Sequence, residues 1–212
     1  MSAAAQHAGA QRQAPVVVLV EGRSDVAAVT VLLRRAGILD GELVHLVDMG
    51  GVTNIRQQLD HFTGPGRGRR ILGLCDEGET RFFVRALEVN GVTVETAADM
   101  ARFGFHVCRA DLEDELIRAS GTNAVVGVLD ELGLHRRFDR FRDQEFWRER
   151  DLPDQLHRFA GIASGRKFWF AAALAEAMPP GAVPAPLRQL VAQIGIALRT
   201  SGTPPLHPFP PV

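Results

Sequence analysis

The chain has 212 residues, 24 basic and 25 acidic side chains and a formal net charge of -1. The near-neutral balance excludes a strong whole-molecule field for attracting nucleic acid, leaving a local arginine patch or a bridging cation for that task. Only two cysteines, Cys75 and Cys108, are present, which argues against a disulfide framework and for a reducing cytoplasm, and no apolar run approaches the ~20 residues of a membrane span.

Residues 1–14 are rich in Ala and Gln without an apolar signal core and read as a disordered tail. Val16-Val17-Val18-Leu19-Val20 then runs without interruption into Glu21-Gly22. An unbroken apolar run ending at an acid and a glycine is the pattern of a strand buried on both faces that stops at a loop. Ser24 or Asp25 can cap the helix that follows, with Val26, Val29, Leu32 and Leu33 at helical spacing. A second strand is expected at Leu43 to Val47, ending at Asp48-Met49-Gly50-Gly51. The next helix carries Ile55, Leu59 and Phe62 on one face and stops at Gly64-Pro65-Gly66. Arg67, Arg69 and Arg70 form a basic cluster, either a solvated loop or a phosphate contact.

Ile71 to Cys75 is the third strand and runs into Asp76-Glu77-Gly78-Glu79; Phe105 to Cys108 is the fourth and leads to Asp111-Leu112-Glu113. Alternating strands and helices argue for a parallel sheet with right-handed crossovers. From 121 to 200 the chain reads as helical. Arg136 to Arg150 interleaves arginines with Phe138, Phe141, Phe146 and Trp147: an amphipathic helix with a solvated Arg face, or a base-stacking surface. A helix from about Phe168 to Leu174 ends at Pro179-Pro180, a last one spans about Ala185 to Leu198, and 201–212 is a proline-rich tail. The expected organisation is an α/β core over 15–120 and a helical extension over 121–200.

Acids follow three strands: Glu21 with Asp25, Asp76 with Glu79, and Asp111 with Glu113. Parallel strands share a carboxyl edge, so acids far apart in sequence converge there. Crowded carboxylates repel, and a hard cation such as Mg²⁺ or Mn²⁺ relieves the repulsion. One or two such ions suit phosphoryl transfer. The plainer account makes Asp25 and Asp111 helix caps and Glu79 and Glu113 first-turn acids. His45 and His106 read as strand residues of the core or sheet edge, His157 is left open, Ser164 reads as a helix cap and Cys75 as a buried hydrophobe.

Glu21-Gly22 closing a buried strand, followed by an acidic loop after a later strand, resembles the Toprim domain. Within that group the chain is most similar to the nuclease half of the overcoming-lysogenization-defect (OLD) family: Glu21 and Asp25 form an acid-glycine-x-x-acid arrangement, Asp111-Leu112-Glu113 resembles a third acidic motif, and Lys167 stands where those nucleases carry a catalytic lysine. The likeness covers roughly residues 15–178. It implies a Toprim-like, Rossmann-like α/β fold, a mainly parallel sheet flanked by helices with a C-terminal helical extension, and metal-dependent phosphodiester hydrolysis, with DNA as the substrate. Glu21 and Lys167 are the expected catalytic residues, and Glu21, Asp25, Asp76, Glu79, Asp111 and Glu113 the expected ligands of Mg²⁺ or Mn²⁺. Gly22, Gly50, Gly51 and Arg166 are the expected substrate contacts. The chain departs from the pattern twice. Where Toprim domains carry Asp-x-Asp, Asp76 is followed two places on by Gly78, and Glu79 could take the second place by a shift of one residue. OLD nucleases are usually preceded by an ABC-type ATPase, whose phosphate-binding loop is absent from this sequence, so an ATPase is expected to be a separate protein or absent. A non-catalytic scaffold that binds DNA or a protein, and a primase-like nucleotidyl transferase, are the alternative functions; a homodimer is among the oligomeric states left open.

Overall fold

The structure, a computed structural model, describes residues 14–38, 42–63, 69–162 and 165–200. The two tails, the Gly64-Pro65-Gly66 helix stop, Arg67 and the Ser164 cap lie outside the described residues. Four strands, β1 (Val16–Val20), β2 (Val44–Asp48), β3 (Arg70–Asp76) and β4 (Phe105–Cys108), form one sheet in the order β2-β1-β3-β4. Every pairing is parallel. The second strand starts one residue later than expected from the sequence, and the third extends one residue further at each end.

Both faces of the sheet are covered, which is why β1 is apolar at every position. Val16, Val18 and Val20 point into one core and Val17 and Leu19 into another. The second core is formed with α2 (Ile55–Thr63), α3 (Thr80–Val89) and α4 (Ala97–Arg102), through Leu59, Phe83 and Met100. Phe83 packs edge-on against Phe105 of β4, ring centroids 5.7 Å apart. The first core is larger. It takes in α1 (Arg23–Arg35) and α5 (Leu112–Ser120), then α6 (Thr122–Glu131) and α7 (His135–Arg142), and beyond the short α8 (Glu145–Arg148) also α9 (Leu152–Gly161), α10 (Arg166–Ala177) and α11 (Ala185–Thr200).

The stretch Arg136 to Arg150 is broken at Asp143-Gln144 into α7 and α8 rather than forming one helix. Phe138 and Phe141 are buried, and Trp147 packs on Phe141, so most of its aromatic content serves the core. Arg69 and Arg70 lie at the amino end of β3, away from the carboxyl ends where the acids collect; Arg69 sits over the Phe62 ring at 5.8 Å. His106 is buried and its two ring nitrogens meet Gln189 and Gln193, each at 3.2 Å, tying edge strand β4 to α11. Burial lowers its pKa below that of a free imidazole, against the opposing pull of those two hydrogen bonds.

The placement of α10 depends on its far end. Arg35, at the last turn of α1, donates to the carbonyl oxygens of Ala175 and Met178. Arg34 beside it pairs with Glu176. These bonds clamp the carboxyl ends of α1 and α10 together, so the amino end of α10, with Lys167, runs beside the start of α1, which follows Glu21.

Gly73 is required at the centre of β3, because a Cβ there would stand 2.8 Å from the Leu19 carbonyl oxygen and 3.0 Å from the Phe105 ring. The neighbouring atom is backbone and cannot step aside. Gly73→Ala is therefore expected to lower unfolding free energy by about 1–3 kcal/mol. Gly127 within α6 has nothing within 4 Å of such a Cβ, and Gly127→Ala is expected to raise stability by up to about 1 kcal/mol. Urea unfolding of both variants checks the pair; equal effects of the same sign would refute this account of β3.

Candidate metal centre

The site is assembled at the carboxyl ends of β1, β3 and β4. Glu21 follows β1 directly. Gly22 serves as the N-cap of α1, and its N–H donates to Asp25 Oδ2 at 2.8 Å, so Asp25 reaches back to the helix entry as its third residue instead of standing as the cap. From the neighbouring strand, Met49 N–H donates to the Val20 carbonyl and Gly51 N–H to the Glu21 carbonyl, both at 3.0 Å. Gly50 and Gly51 make this possible by adopting φ of 66° and 119°, where a side chain is strained. The glycine pair thus clamps the peptide of Glu21.

After Asp76 the chain enters a short 3₁₀ turn, Glu77–Glu79. The turn carries past Gly78 and returns Glu79 to the site: one carboxylate oxygen from each of Glu21, Asp76 and Glu79 lies within 4.8 Å of the others. These are the acids that converge tightly enough, among the described residues, to share an ion.

The other three candidate ligands stand around this group with oxygens already engaged. Asp111 caps α5 by accepting from Asp114 N–H at 2.8 Å, and its second oxygen meets His157 Nε2 of α9 at 2.7 Å. Glu113 is 2% exposed; one of its oxygens accepts from Lys167 Nζ at 3.2 Å. Asp25 has its bond to Gly22. Arg166 donates to the Phe159 carbonyl at 2.7 Å and lies 4.0 Å over the Phe159 ring, joining α10 to α9.

Electrostatics follow from crowding in a half-buried place. Burial, then the hydrogen bond and charge of Glu79, raise Glu21 to about 7. Burial raises Asp25 to about 7, helped by Glu113 and Glu21 and opposed by the Gly22 N–H. Asp76, raised by burial and then by Asp25, Glu21, Asp111 and Glu79, reaches about 8. Asp111 goes the other way: burial raises it, but the bonds from His157 and Asp114 outweigh that and hold it below the usual carboxylate range. His157 is correspondingly raised, chiefly by its bond to Asp111. Burial acts to lower Lys167, but the negative neighbours, Glu113 foremost, raise it overall; it is an ammonium at neutral pH.

The donor set fits a hard divalent cation. All its atoms are carboxylate oxygens, burial and then negative neighbours raise Glu21 and Asp76, and Glu79 Oε2 and Glu113 Oε1 are buried oxygens without a hydrogen-bond partner. Three participants in this edge carry no signal in the sequence. His157 acquires its role from a packing contact 46 residues distant from Asp111. Glu115 accepts from Arg109 N–H at 2.9 Å and braces the loop after β4. Ala110 takes a left-handed φ of 58° in that loop, a strained conformation for a residue with a Cβ, immediately before Asp111.

These shifts set a direction for stability against pH. In the unfolded chain the carboxyls titrate near ~4, whereas Glu21 and Asp25 do so at about 7 and Asp76 at about 8 in the fold. Between these limits the folded state holds more protons, so stability falls as pH rises. His157, raised above its ordinary value, acts in the same sense; the lowered His106 opposes the three carboxyls within that range, and the lowered Asp111 does so only at acid pH. With divalent cations chelated, the melting temperature is expected to drop between about pH 5 and about pH 8.5. Glu21→Gln and Asp76→Asn should flatten the drop. Calorimetric melts across that range check it, and a melting temperature that climbs over it would refute the crowding.

No protein-family model matches the chain, and no curated protein does. Solved structures do resemble it. The C-terminal region of the Xanthomonas campestris pv. campestris OLD protein superposes with a TM-score of 0.67 at 23% identity, over 89% of this chain and 98% of that one. The C-terminal region of the Burkholderia pseudomallei OLD protein superposes with a TM-score of 0.62 at 20% identity, over 87% of this chain and 98% of that one. No helix of the described residues is long and apolar enough to cross a membrane. The four-stranded parallel sheet, its flanking helices and these superpositions give the chain the Toprim-like fold of the C-terminal regions of OLD proteins.

Proposed function

We propose that this protein is a divalent-metal-dependent nuclease that hydrolyses phosphodiester bonds of DNA. The observation that carries the reading is the convergence of Glu21, Asp76 and Glu79 within 4.8 Å at the sheet edge, with an ammonium held nearby on Glu113. Glu21, Asp76 and Glu79 would hold Mg²⁺ or Mn²⁺, with Asp25, Asp111 and Glu113 bracing them or accommodating a second ion. Such an ion, when bound, lowers the pKa of a water and neutralises charge on the phosphate oxygens.

The chain's own residues have the remaining tasks. The Gly50-Gly51 turn, bonded to the Glu21 carbonyl, holds the backbone from which Glu21 projects. Asp111, fixed by Asp114 and His157, keeps a second ionised carboxylate close to the group. Lys167 stays charged and faces the acids through Glu113, placed to stabilise negative charge that builds on phosphorus-bound oxygens as water adds and the ester oxygen leaves.

Mn²⁺ or Mg²⁺ is expected to raise the melting temperature by mass action, and Glu21→Gln or Asp76→Asn to reduce that shift. Incubation of supercoiled and linear DNA with Mg²⁺, Mn²⁺ or EDTA should give metal-dependent cleavage. Lys167→Ala should slow it by ~10²-fold or more while the metal-induced thermal shift survives, since an ammonium is not a ligand. Arg166→Ala, which removes a cation engaged with Phe159, should cost much less. Metal binding without cleavage of any DNA form would instead favour a non-catalytic scaffold.

A further inference from the structure

Two further features adjoin residues of the acidic centre in sequence, and neither belongs to the metal site. On one side, Arg23 follows Glu21 by two residues at the exposed start of α1, and its guanidinium lies 5.7 Å over the ring of Phe168. Phe168 stands next to Lys167 on α10 and meets Trp169 edge-on, ring planes at 90° and centroids 5.0 Å apart. Trp169 is 65% exposed. On the other side, Arg81 follows Glu79 by two residues and lies 4.9 Å over the ring of Phe82. Arg81 and Arg85, one turn apart on α3, line an open cleft of about 380 Å³ with Phe82, Val84, Thr80 and Glu88. Neither arginine has a carboxylate partner in an ion pair among the described residues.

We infer that this rim is a subsite for an unpaired nucleic-acid strand crossing the acidic centre, with Trp169 stacking a nucleobase on one side and Arg81 and Arg85 holding backbone phosphates on the other. The inference rests on the nuclease reading and specifies its substrate as single-stranded or locally opened DNA. Charge supports it. A phosphate approaching Glu21, Asp76 and Glu79 meets repulsion, and Lys167 and Arg166 are engaged with Glu113 and Phe159. Arg23, Arg81 and Arg85 remain to carry a polyanion past the acids. The aromatic geometry supplies the strand state. In a duplex the base faces are stacked on one another and cannot use an aromatic surface, whereas an unpaired base gains a stack on any exposed ring. Trp169 offers such a surface on the helix that presents Lys167. The chain's other tryptophan, Trp147, packs on Phe141 at 5.1 Å and is a poor candidate for that role.

The test is binding in EDTA at low salt, where hydrolysis is stopped, using fluorescein-labelled oligothymidylate and a blunt duplex of equal length. The single strand should bind more tightly than the duplex and should quench tryptophan emission. Trp169→Ala should abolish the quenching and weaken single-strand binding by about tenfold, inside the ~5- to 150-fold range expected on losing one base stack. Trp169→Phe should retain most of the affinity, which separates stacking from a folding effect. Arg81→Ala with Arg85→Ala should weaken both ligands and reduce the salt dependence by about two charges. No single-strand preference, or full single-strand affinity in Trp169→Ala, overturns the inference. Because this assay needs no cleavage, the two proposals fail separately: DNA cut by a protein whose Trp169→Ala variant binds single strands normally removes only the subsite, and Trp169-dependent binding with no cleavage in Mn²⁺ removes only the nuclease.

Discussion

Carboxylates repel one another, and this fold holds several of them together at one sheet edge. The constraint comes from β1. Its five side chains are fully buried, two on one face and three on the other, each contributing ~1.5–3 kcal/mol relative to exposure. That burial fixes where the strand ends and leaves Glu21 no freedom to retreat. The parallel register then brings Asp76 and the loop leading to Asp111 to the same edge. A sheet with only one covered face could slide or tilt to separate the charges; one packed on both faces cannot without opening a core. The repulsion therefore persists in the folded protein and, added to the larger effect of burial, makes these carboxyls hold protons to about 7 or 8. A proton or a cation must make up the deficit, and only a cation can do so while the acids stay ionised.

The surrounding acids are distinguished by what their oxygens already do. Asp111 spends one oxygen on the α5 cap and the other on His157, and its pKa falls. Asp76 has no comparable donors, and its pKa rises furthest. The same residue type on the same edge is thus either a brace or an unengaged carboxylate according to hydrogen bonding. Lys167 belongs to this division: Glu113 holds it in place, and the remote clamp of Arg34 and Arg35 on the end of α10 decides that it arrives there at all.

The strands and the shared edge were legible in the sequence because both rest on local pattern. An apolar run with no alternation requires two covered faces, and strand-helix alternation requires parallel pairing. The proximity of Lys167 to the acids was legible only through the family resemblance, since the 54 residues separating it from Glu113 hold no local signal for the contact. His157 stayed open for the same reason. The break at Asp143-Gln144 was missed because helical periodicity continues across it. The entry to α1 was misread because Ser24 and Asp25 are both good caps by type, whereas Gly22 takes the position by geometry and lets Asp25 fold back on it.

Gly78 shows best how turn geometry overrides spacing. Counted along the chain, the second acid of an Asp-x-Asp pair is missing. In an extended segment Asp76 and a residue two places on would share a face, and Glu79 would point away. The segment beyond Asp76 is not extended: Glu77–Glu79 form a 3₁₀ turn. Carboxylate oxygens of Asp76 and Glu79 lie within 4.8 Å of one another, and the extra methylene of Glu over Asp supplies reach. Gly78 sits inside that turn, with nothing within 4 Å of where its Cβ would stand. An acid reaches the group from a different position through a different backbone, and Glu79 Oε2 is buried there without a hydrogen-bond partner.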